Sequence, residues 1–319
     1  MDNTAPLLQI DDLSAYIKNE DQILFPLQGV SFSIGRNTRM ALVGESGSGK
    51  SLTAAAILRM LPPGSQVTRG NIIMGDRNLV SLPEKLLQKI RGKEISIVFQ
   101  NPGASLNPVR TVGSQIAEIL RVHEKLSRQK SNQKAIEMLE SLGLPDPDKR
   151  GKDYPHQYSG GMAQRAALAM AMACRPALLI ADEPTSGLDA TLQQQVLDLL
   201  TSQIQEQKSS MLLITHDMSV VGSTCEQVAV MYGGRIMEVG PTELVLRHPI
   251  NPYTQKLVDA FSRSKDGKMT SIPGTVGPPI SESKGCPFAE RCDKADQDCR
   301  THLPQLLHKQ DRMVACIKT

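Results

Sequence analysis

Residues 41–58, "ALVGESGSGKSLTAAAIL", are the stretch of sequence that indicates the fold. A short apolar run precedes a glycine-rich loop, and an Ala- and Leu-rich run follows it, which predicts strand, loop and helix. The loop, Gly44–Ser51, matches the pattern G-x-x-x-x-G-K-[ST] in full. Its glycines let backbone amides turn toward phosphate oxygens, and the helix start adds a positive end. The pattern predicts that Lys50 contacts the outer phosphates of a nucleotide and that Ser51 ligates Mg²⁺.

A second apolar run, "ALLIADEP" at 177–184, ends in two carboxylates. Asp182 is placed to hold Mg²⁺, directly or through water, and Glu183 to polarise an attacking water. Alone, the run would read as a strand followed by a charged turn. Together with the phosphate loop, it predicts a hydrolytic site.

The stretch "YSGGMAQR" at 158–165 predicts another helix start. Ser159 is a favoured N-cap, and Gly160 and Gly161 would leave the first amides open, which suits an anion. One nucleotide site does not need two phosphate cradles. A head-to-tail dimer does, because the second cradle of each chain then closes the nucleotide site of its partner.

Composition excludes several classes of protein. The net charge is only +3, and aromatic residues make up 3% of the 319 residues with no Trp, which disfavours nucleic-acid binding. The first sixteen residues do not resemble a signal peptide, and no apolar run approaches the length of a membrane span. We therefore expect a reducing compartment, in which stable disulfides are unfavourable.

Strand-like and helix-like segments alternate, which predicts a parallel sheet covered by helices. The predicted strands lie at 7–10, 29–34, 40–43, 71–80, 95–99, 177–182, 211–215, 227–232 and 234–240. The predicted helices follow the phosphate loop, lie within 112–143 as two segments, and occupy 190–207 and the region of 218–224. From about residue 263 the chain is rich in Ser, Gly, Pro and Lys, which predicts a linker.

Six motifs in order resemble those of the ATP-binding cassette (ABC) family, and the likeness covers residues 7 to 319. These motifs are the Walker A loop, the Q-loop glutamine in "IVFQNP", the signature, the Walker B strand, the D-loop "SGLD" and the switch histidine in "LLITHD". The resemblance implies an α/β P-loop NTPase fold. Its parts are a RecA-like parallel sheet core, an N-terminal antiparallel β subdomain, a helical subdomain and a small Cys-bearing C-terminal module.

The resemblance also implies the roles of individual residues. Glu183 is the general base, His216 contacts the γ-phosphate, and Gln100 senses Mg²⁺ together with Ser51 and Asp182. The implied ATP-binding residues are Tyr16, Gly44, Glu45, Ser46, Gly47, Ser48, Gly49, Lys50, Ser51, Leu52 and Gln100. The implied signature and D-loop residues, the former acting on the partner chain, are Ser159, Gly160, Gly161, Met162, Ser186, Gly187, Leu188 and Asp189.

Two positions depart from the family pattern. The aromatic that stacks on adenine usually stands four residues after a Leu, but that position is Ile17, and Tyr16 is one residue early. Tyr16 is therefore either the adenine contact or a packed strand residue. The signature usually has Arg at position 163, where this chain has Ala163. We expect activity to survive because Ala163 should not touch the phosphates.

Four stretches resemble the ATPase subunits of peptide-type and nickel-type importers. They are "FQNPGASLNP" at 99–108, "HPINPYTQKL" at 248–257, "SIPG" at 271–274 and the Cys-rich tail. This branch implies a second related ATPase subunit, two membrane-spanning subunits and an extracytoplasmic solute-binding protein, with this chain peripheral on the cytoplasmic face of the inner membrane. The implied domains are 6–262, with a helical subdomain at about 101–172, and 263–319.

Four of the six cysteines lie in the tail, with the spacing C-x5-C-x6-C-x16-C. A disulfide framework, a metal site and chance all remain open from spacing alone, and the spacing is loose for zinc. The resemblance implies a [4Fe–4S] cluster on Cys286, Cys292, Cys299 and Cys316, with Zn²⁺ or no metal as alternatives. Cys174 and Cys225 lie in helical patterns and are expected to be small packed residues.

Two other functions stay open. One is an ABC exporter ATPase, and the other is a non-transport ABC switch that acts on ribosomes or DNA. The second is disfavoured by the single cassette, the lack of a heptad array and the small net charge.

Overall fold

A computed structural model of the chain describes residues 5–19, 22–100, 105–261, 272–274 and 281–319. These residues form two compact units. The first unit takes the described residues up to Leu82 and those from Leu213 onward, and the second unit is Pro83–Leu212. No helix within the described ranges is long and apolar enough to cross a membrane. Most of the predicted linker, together with residues 101–104, lies outside the described residues.

The first unit contains an antiparallel sheet in the strand order β2-β1-β4-β5. Its strands are β1 (Leu8–Lys18), β2 (Ile23–Ile34), β4 (Ser65–Met74) and β5 (Arg77–Asn78). The predicted strand at 71–80 is interrupted, because Gly75 adopts a φ of 62° and turns the chain back on itself. This sheet is the predicted N-terminal antiparallel subdomain.

Five further strands of the first unit pair in the order β11-β12-β10-β9-β3. They are β3 (Arg39–Val43), β9 (Gln227–Tyr232), β10 (Arg235–Pro241), β11 (Leu307–Lys309) and β12 (Arg312–Val314). β3 and β9 run parallel and are almost wholly buried, which explains their continuous apolar sequences. The helices of this unit are Lys50–Ile57, Met218–Thr224, Thr242–Arg247, Pro252–Phe261 and Gln297–Thr301.

The last strand, β12, is attached by a buried polar network. Arg312 donates to Glu238 on β10 at 3.1 Å and to the carbonyl of His248 at 2.9 Å. Glu238 is 0% exposed and also accepts the backbone N–H of Asn251 at 2.9 Å. The Asn251 side chain in turn donates to the carbonyl of Ala315 at 2.9 Å. The C-terminal segment is therefore an integral part of the first unit.

The second unit contains the parallel pair β6 (Ile95–Val98) and β7 (Leu178–Asp182), with the first residues of β8 (Ser210–Ile214). The chain passes from the second unit to the first within β8. The helices of this unit are Glu84–Ile90, Val112–Glu124, Arg128–Ser141, Pro147–Arg150, Gly160–Met172 and Ala190–Gln207. The predicted helix pair within 112–143 and the predicted helix at 190–207 are confirmed.

Candidate nucleotide site

The phosphate loop joins β3 to the helix Lys50–Ile57, as predicted. Lys50 is buried, and its Nζ donates to the carbonyls of Gly44 at 2.8 Å and Glu45 at 2.9 Å. The ammonium thus ties the two ends of the loop together. Ser48 is fully buried, whereas Ser46 and Ser51 are exposed. The exposed Ser51 hydroxyl, at the start of the helix, is an oxygen donor of the kind that Mg²⁺ prefers.

Two positions of the loop require glycine. Gly44 has a φ of 151°, and a Cβ there would lie 2.1 Å from the carbonyl oxygen of Met231. Gly49 has a φ of 107°, and its Cβ would lie 2.6 Å from the carbonyl oxygen of Pro26. Any side chain at these positions would collide with fixed backbone, so the pattern in the sequence has a steric origin.

Glu45, the second residue of the loop, is held by residues far along the chain. Arg291 forms two bonds to its carboxylate, at 2.7 Å and 3.0 Å, and the backbone N–H of Glu45 donates to the hydroxyl of Tyr253 at 3.0 Å. Tyr253 packs against Tyr232 and Phe288, with ring centroids 4.6 Å and 5.2 Å away. Three of the ten aromatic residues of the chain are therefore gathered beside the phosphate loop.

His216 follows β8 in the first unit, and it is exposed. The next residue, Asp217, caps the helix Met218–Thr224 by accepting the backbone N–H of Ser219 at 2.9 Å. The cap fixes the backbone immediately after the histidine.

Tyr16 lies on β1 opposite Gln66 of β4, and its hydroxyl donates to the Gln66 side chain at 2.7 Å. The ring is half-exposed, as is its neighbour Ile17. The contact with Gln66 fits a packed strand residue, but the half-exposed ring could still contact another group. The assignment of Tyr16 to adenine therefore stays a prediction.

The second unit carries the predicted hydrolytic carboxylates at the end of β7. Asp182 is buried, and Glu183 follows it with a φ of 45°, in the left-handed region. Gln100, which follows β6, donates from Nε2 to the Glu183 carboxylate at 2.8 Å. Because β6 and β7 run parallel with Val98 beside Ala181, the residues after both strands meet at one edge. The predicted Q-loop glutamine is thus hydrogen-bonded to the residue predicted as the general base.

Ser186 connects the D-loop to the same edge. Its hydroxyl donates to the backbone carbonyl of Gln100 at 2.6 Å, and its N–H donates to the carbonyl of Glu183 at 3.0 Å. Asp189 accepts the N–H groups of Thr191 and Leu192 at 3.1 Å and 3.0 Å and so caps the helix Ala190–Gln207. The D-loop therefore has a structural role that sequence reasoning missed, although Asp before a helix is a recognisable cap signal.

The signature begins a helix, as predicted. Ser159 caps Gly160–Met172 by accepting the N–H of Met162 at 3.3 Å. Ser159 and Gly160 are exposed, and a Cβ added to Gly160 would meet no atom of the described residues within 4 Å. A Cβ at Gly161 would meet, among those residues, the Leu192 side chain at 3.8 Å. The described residues therefore leave this helix start uncrowded at its two glycines.

The four tail cysteines line one cavity of about 20 Å³ in the first unit. Burial raises the pKa of Cys286 to about 11, and the other three thiols add to the rise. A cavity of this size has room for about one water molecule. Across the described ranges, no three His, Cys, Asp or Glu side chains stand together as a metal site. Four thiolates are a suitable donor set for iron–sulfur or zinc, but the structure gathers them without arranging them around a metal.

The two remaining cysteines differ from that set. Cys225 is buried in the first unit and Cys174 half-buried in the second, and burial raises the pKa of their thiols to about 12 and about 11. Neither thiol lines the cavity that the four tail cysteines share, which agrees with their expected packing role.

The predicted site residues are divided between the units. Lys50, Ser51 and His216 belong to the first unit, and Asp182 and Glu183 to the second. Sequence reasoning did not identify the residues that hold Glu45. No local pattern links positions 246 residues apart, so only the fold reveals that contact.

Comparisons with known proteins agree with these motifs. The family model "ABC transporter" matches residues 27–186, and the model "Oligopeptide/dipeptide transporter, C-terminal region" matches residues 237–299. The second match covers the helix after the core and most of the Cys-bearing segment.

Similar curated proteins span almost the whole chain. The oligopeptide transport ATP-binding protein AppD of Bacillus subtilis is 41% identical over 314 residues, which are 97% of this chain and 96% of AppD. The oligopeptide transport ATP-binding protein OppD of Haemophilus influenzae is 40% identical over 92% of each chain. OppD of Salmonella typhimurium is 38% identical over 98% of this chain and 93% of its own.

Solved structures show the same fold. The ATP-binding cassette MJ0796, in a dimeric post-hydrolysis state bound to ADP and Pi, superposes with a TM-score of 0.66 at 25% identity. The match covers 74% of this chain and 98% of that one. The predicted α/β ABC fold is thereby confirmed. The chain belongs to the ABC transporter family, in the branch with an oligopeptide/dipeptide transporter C-terminal region, and it is an ATPase coupled to transport.

Proposed function

We propose that the chain hydrolyses ATP to drive a bacterial importer of peptides. The similar curated proteins are named for oligopeptide transport, and the C-terminal region carries the corresponding family model. Nickel or metallophore-type solutes are the alternative cargo, because related importers share the same subunit plan. The observation that carries the hydrolytic role is the Gln100–Glu183 bond of 2.8 Å at the edge of β7.

In the proposed mechanism, the loop Gly44–Ser51 holds the phosphates of ATP, and Ser51, Gln100 and Asp182 supply oxygens for Mg²⁺. The Gln100–Glu183 bond orients the carboxylate, and the Gln100 side chain would be one of the groups that hold Mg²⁺. Glu183 then accepts a proton from the attacking water, and His216 contacts the γ-phosphate. When bound, Mg²⁺ would neutralise the negative charge that develops on the phosphates.

The partner chain completes the site in this proposal. The signature residues from Ser159 to Met162 begin a helix whose first two residues, Gly160 and Gly161, are little crowded, which suits the phosphates of an ATP bound by a second, related ATPase subunit. The D-loop from Ser186 to Asp189 would lie beside them. Two ATP molecules are then sandwiched between the two subunits.

Membrane partners complete the proposed assembly. Two membrane-spanning subunits and an extracytoplasmic solute-binding protein would bind this chain and its ATPase partner, with both ATPases peripheral on the cytoplasmic face of the inner membrane. Residues 6–262 would form the nucleotide-binding domain, with residues at about 101–172 as the part that docks on the membrane subunits, and 263–319 the linker and four-Cys module.

The test is Glu183→Gln in the assembled transporter. ATP hydrolysis is expected to fall by roughly 10²–10⁴-fold at this site, because a general base contributes about that much. Binding of Mg-ATP should persist. Glu206→Gln is the matched control, since Glu206 is exposed near the end of the helix Ala190–Gln207 and accepts a bond from the Gln203 side chain at 3.2 Å. Unchanged phosphate release at this site in Glu183→Gln would remove Glu183 as the base.

Direction and cargo need a separate measurement. Proteoliposomes that contain the complex should accumulate a radiolabelled oligopeptide from the side of the solute-binding protein only when ATP is supplied on the other side. Outward movement would assign an exporter, and salt-dependent binding of the chain to RNA or DNA without peptide transport would assign the switch class.

We further propose a metal site on Cys286, Cys292, Cys299 and Cys316, with a [4Fe–4S] cluster as the first candidate and Zn²⁺ as the second. The support is that all four thiols line one cavity. Anaerobic purification followed by iron, sulfide and zinc analysis tests it. Stoichiometric iron and sulfide that are lost in Cys292→Ser and kept in Cys174→Ser would support the cluster, and a metal-free native protein would exclude both metals.

A further inference from the structure

The phosphate loop and the C-terminal module share an ion pair. Arg291 of the module bonds both carboxylate oxygens of Glu45, Nη1 to Oε2 at 2.7 Å and Nη2 to Oε1 at 3.0 Å. Two parallel bonds between a guanidinium and a carboxylate fix orientation as well as distance. The Arg291 side chain is 9% exposed and that of Glu45 26%, so water screens the pair only in part.

Arg291 is itself held from several sides. Its Nε donates to the carbonyl of Pro273 at 2.7 Å, and Nη2 donates to the carbonyls of Ile272 at 3.0 Å and Gly274 at 3.2 Å. Nη1 also donates to the hydroxyl of Tyr232 at 3.2 Å. Since each nitrogen of the guanidinium has a protein partner, the Arg291 side chain is held in one position.

The loop is held at its backbone as well. Tyr253 accepts the N–H of Glu45, and its ring packs on Phe288, three residues before Arg291. Both contacts reach the same residue of the loop, one at the main chain and one at the side chain. The position of Glu45 therefore depends on the C-terminal segment.

The charge of Glu45 gives the contact a consequence for ligand binding. A carboxylate in a loop that holds phosphates repels them unless a cation neutralises it. Arg291 supplies that cation, and the carboxylate beside it raises the pKa of the guanidinium further. Without Arg291, the loop would lose its anchor and gain an uncompensated negative charge.

We propose that Arg291 is a positioning residue of the ATP site, which through Glu45 fixes the phosphate loop and cancels a charge that opposes ATP. One residue of the C-terminal module is thereby linked to the binding of ATP. The inference rests on the proposed placement of the phosphates at Gly44–Ser51, which Lys50→Ala tests separately: ATP binding unchanged in Lys50→Ala would reject the placement itself.

The experiment is isothermal titration of the full chain with Mg-ATP. Arg291→Ala should weaken binding by about tenfold, the size expected when a partly buried charge is left unpaired. The double variant Arg291→Ala with Glu45→Gln should recover most of the loss, since the repelling charge is gone. Arg300→Ala is the matched control, because Arg300 lies in the same module and pairs with Glu290, whose side chain is 80% exposed, rather than with a residue of the loop.

Recovery by Glu45→Gln separates cancellation of the Glu45 charge from a general structural role of Arg291. If Arg291→Ala binds Mg-ATP like the native chain, or if Glu45→Gln restores nothing, the proposal is overturned. Equal weakening in Arg300→Ala would also overturn it, because the effect would then belong to the module as a whole. If Arg291→Ala does not fold, Arg291→Met keeps an aliphatic chain at this position, removes the guanidinium that lies over the Tyr232 ring, and gives the same comparison.

Discussion

The chain has two glycine-bearing helix starts suited to anions, and they are built in opposite ways. The phosphate loop is enclosed. Lys50 donates to the carbonyls of the loop itself, Gly44 packs against the backbone of Met231, and Arg291 forms an ion pair with Glu45. The signature start is open, with Ser159 as its cap and nothing within 4 Å of a Cβ at Gly160. The first is shaped by its own chain, whereas the second is, in our proposal, completed by a partner subunit.

A glycine-bearing helix start can therefore be enclosed by its own chain or left open at the surface. An enclosed cradle gains its shape from distant segments, so damage to those segments should appear as lost stability or lost ATP binding. An open cradle contributes little to the fold of its own chain, so damage there should appear mainly in the assembled transporter.

The largest expected effect concerns the buried network that attaches β12 to β10, in the same unit as the enclosed cradle. Arg312→Ala removes the partner of the fully buried Glu238 and should destabilise the chain by about 3–5 kcal/mol, because a buried charge is left uncompensated. Urea denaturation measures this. Arg247→Ala is the control, since its pair with Glu243 is 73% exposed on both sides and should contribute under about 0.5 kcal/mol. Equal effects would mean that the buried network does not hold the segment.

Alanine at the two glycines compares the cradles directly. Gly44→Ala should destabilise the chain by about 2–3 kcal/mol, through the 2.1 Å clash and the positive φ. Gly160→Ala should change the free energy of unfolding by less than about 1 kcal/mol, since the site is open and helical. Its effect should appear as slower ATP hydrolysis in the assembled complex. A stability loss in Gly160→Ala equal to that in Gly44→Ala would contradict the contrast.

The smallest expected effect on stability comes from removing a helix N-cap. Ser159→Ala should cost about 1 kcal/mol of stability through loss of its bond to the Met162 N–H. Ser127→Ala is a matched control, because Ser127 caps the helix Arg128–Ser141 with a bond of 3.4 Å to the Lys130 N–H. Both variants should lose similar stability, measured by urea denaturation. Only Ser159→Ala should also slow hydrolysis in the complex, and equal activities would place the signature outside the composite site.

Sequence patterns predicted the features that depend on neighbours in the chain. The loop Gly44–Ser51, the buried strand that ends at Asp182 and the cap at Ser159 are each specified by a few adjacent residues. These signals sufficed for the fold class. They also placed Gln100 and Glu183 after parallel strands, where the structure finds them bonded.

The remaining features depend on contacts between remote residues. Nothing adjacent to Glu45 indicates that Arg291 will bind it, and nothing near Tyr16 indicates that its hydroxyl bonds Gln66. Side-chain pairing across such distances is decided by tertiary packing. For the same reason, the spacing of the four tail cysteines did not reveal that they border a single cavity.

The contact between Glu45 and Arg291 joins positions 246 residues apart, and this separation has a consequence for biosynthesis. Because the ribosome makes the chain from its N-terminus, the phosphate loop emerges long before the arginine that steadies it. A nascent chain that has extended past β10 still lacks the anchor for its nucleotide pocket. Under the proposed role of Arg291, the chain therefore reaches its full affinity for ATP only late in translation, when nearly the whole subunit has been made.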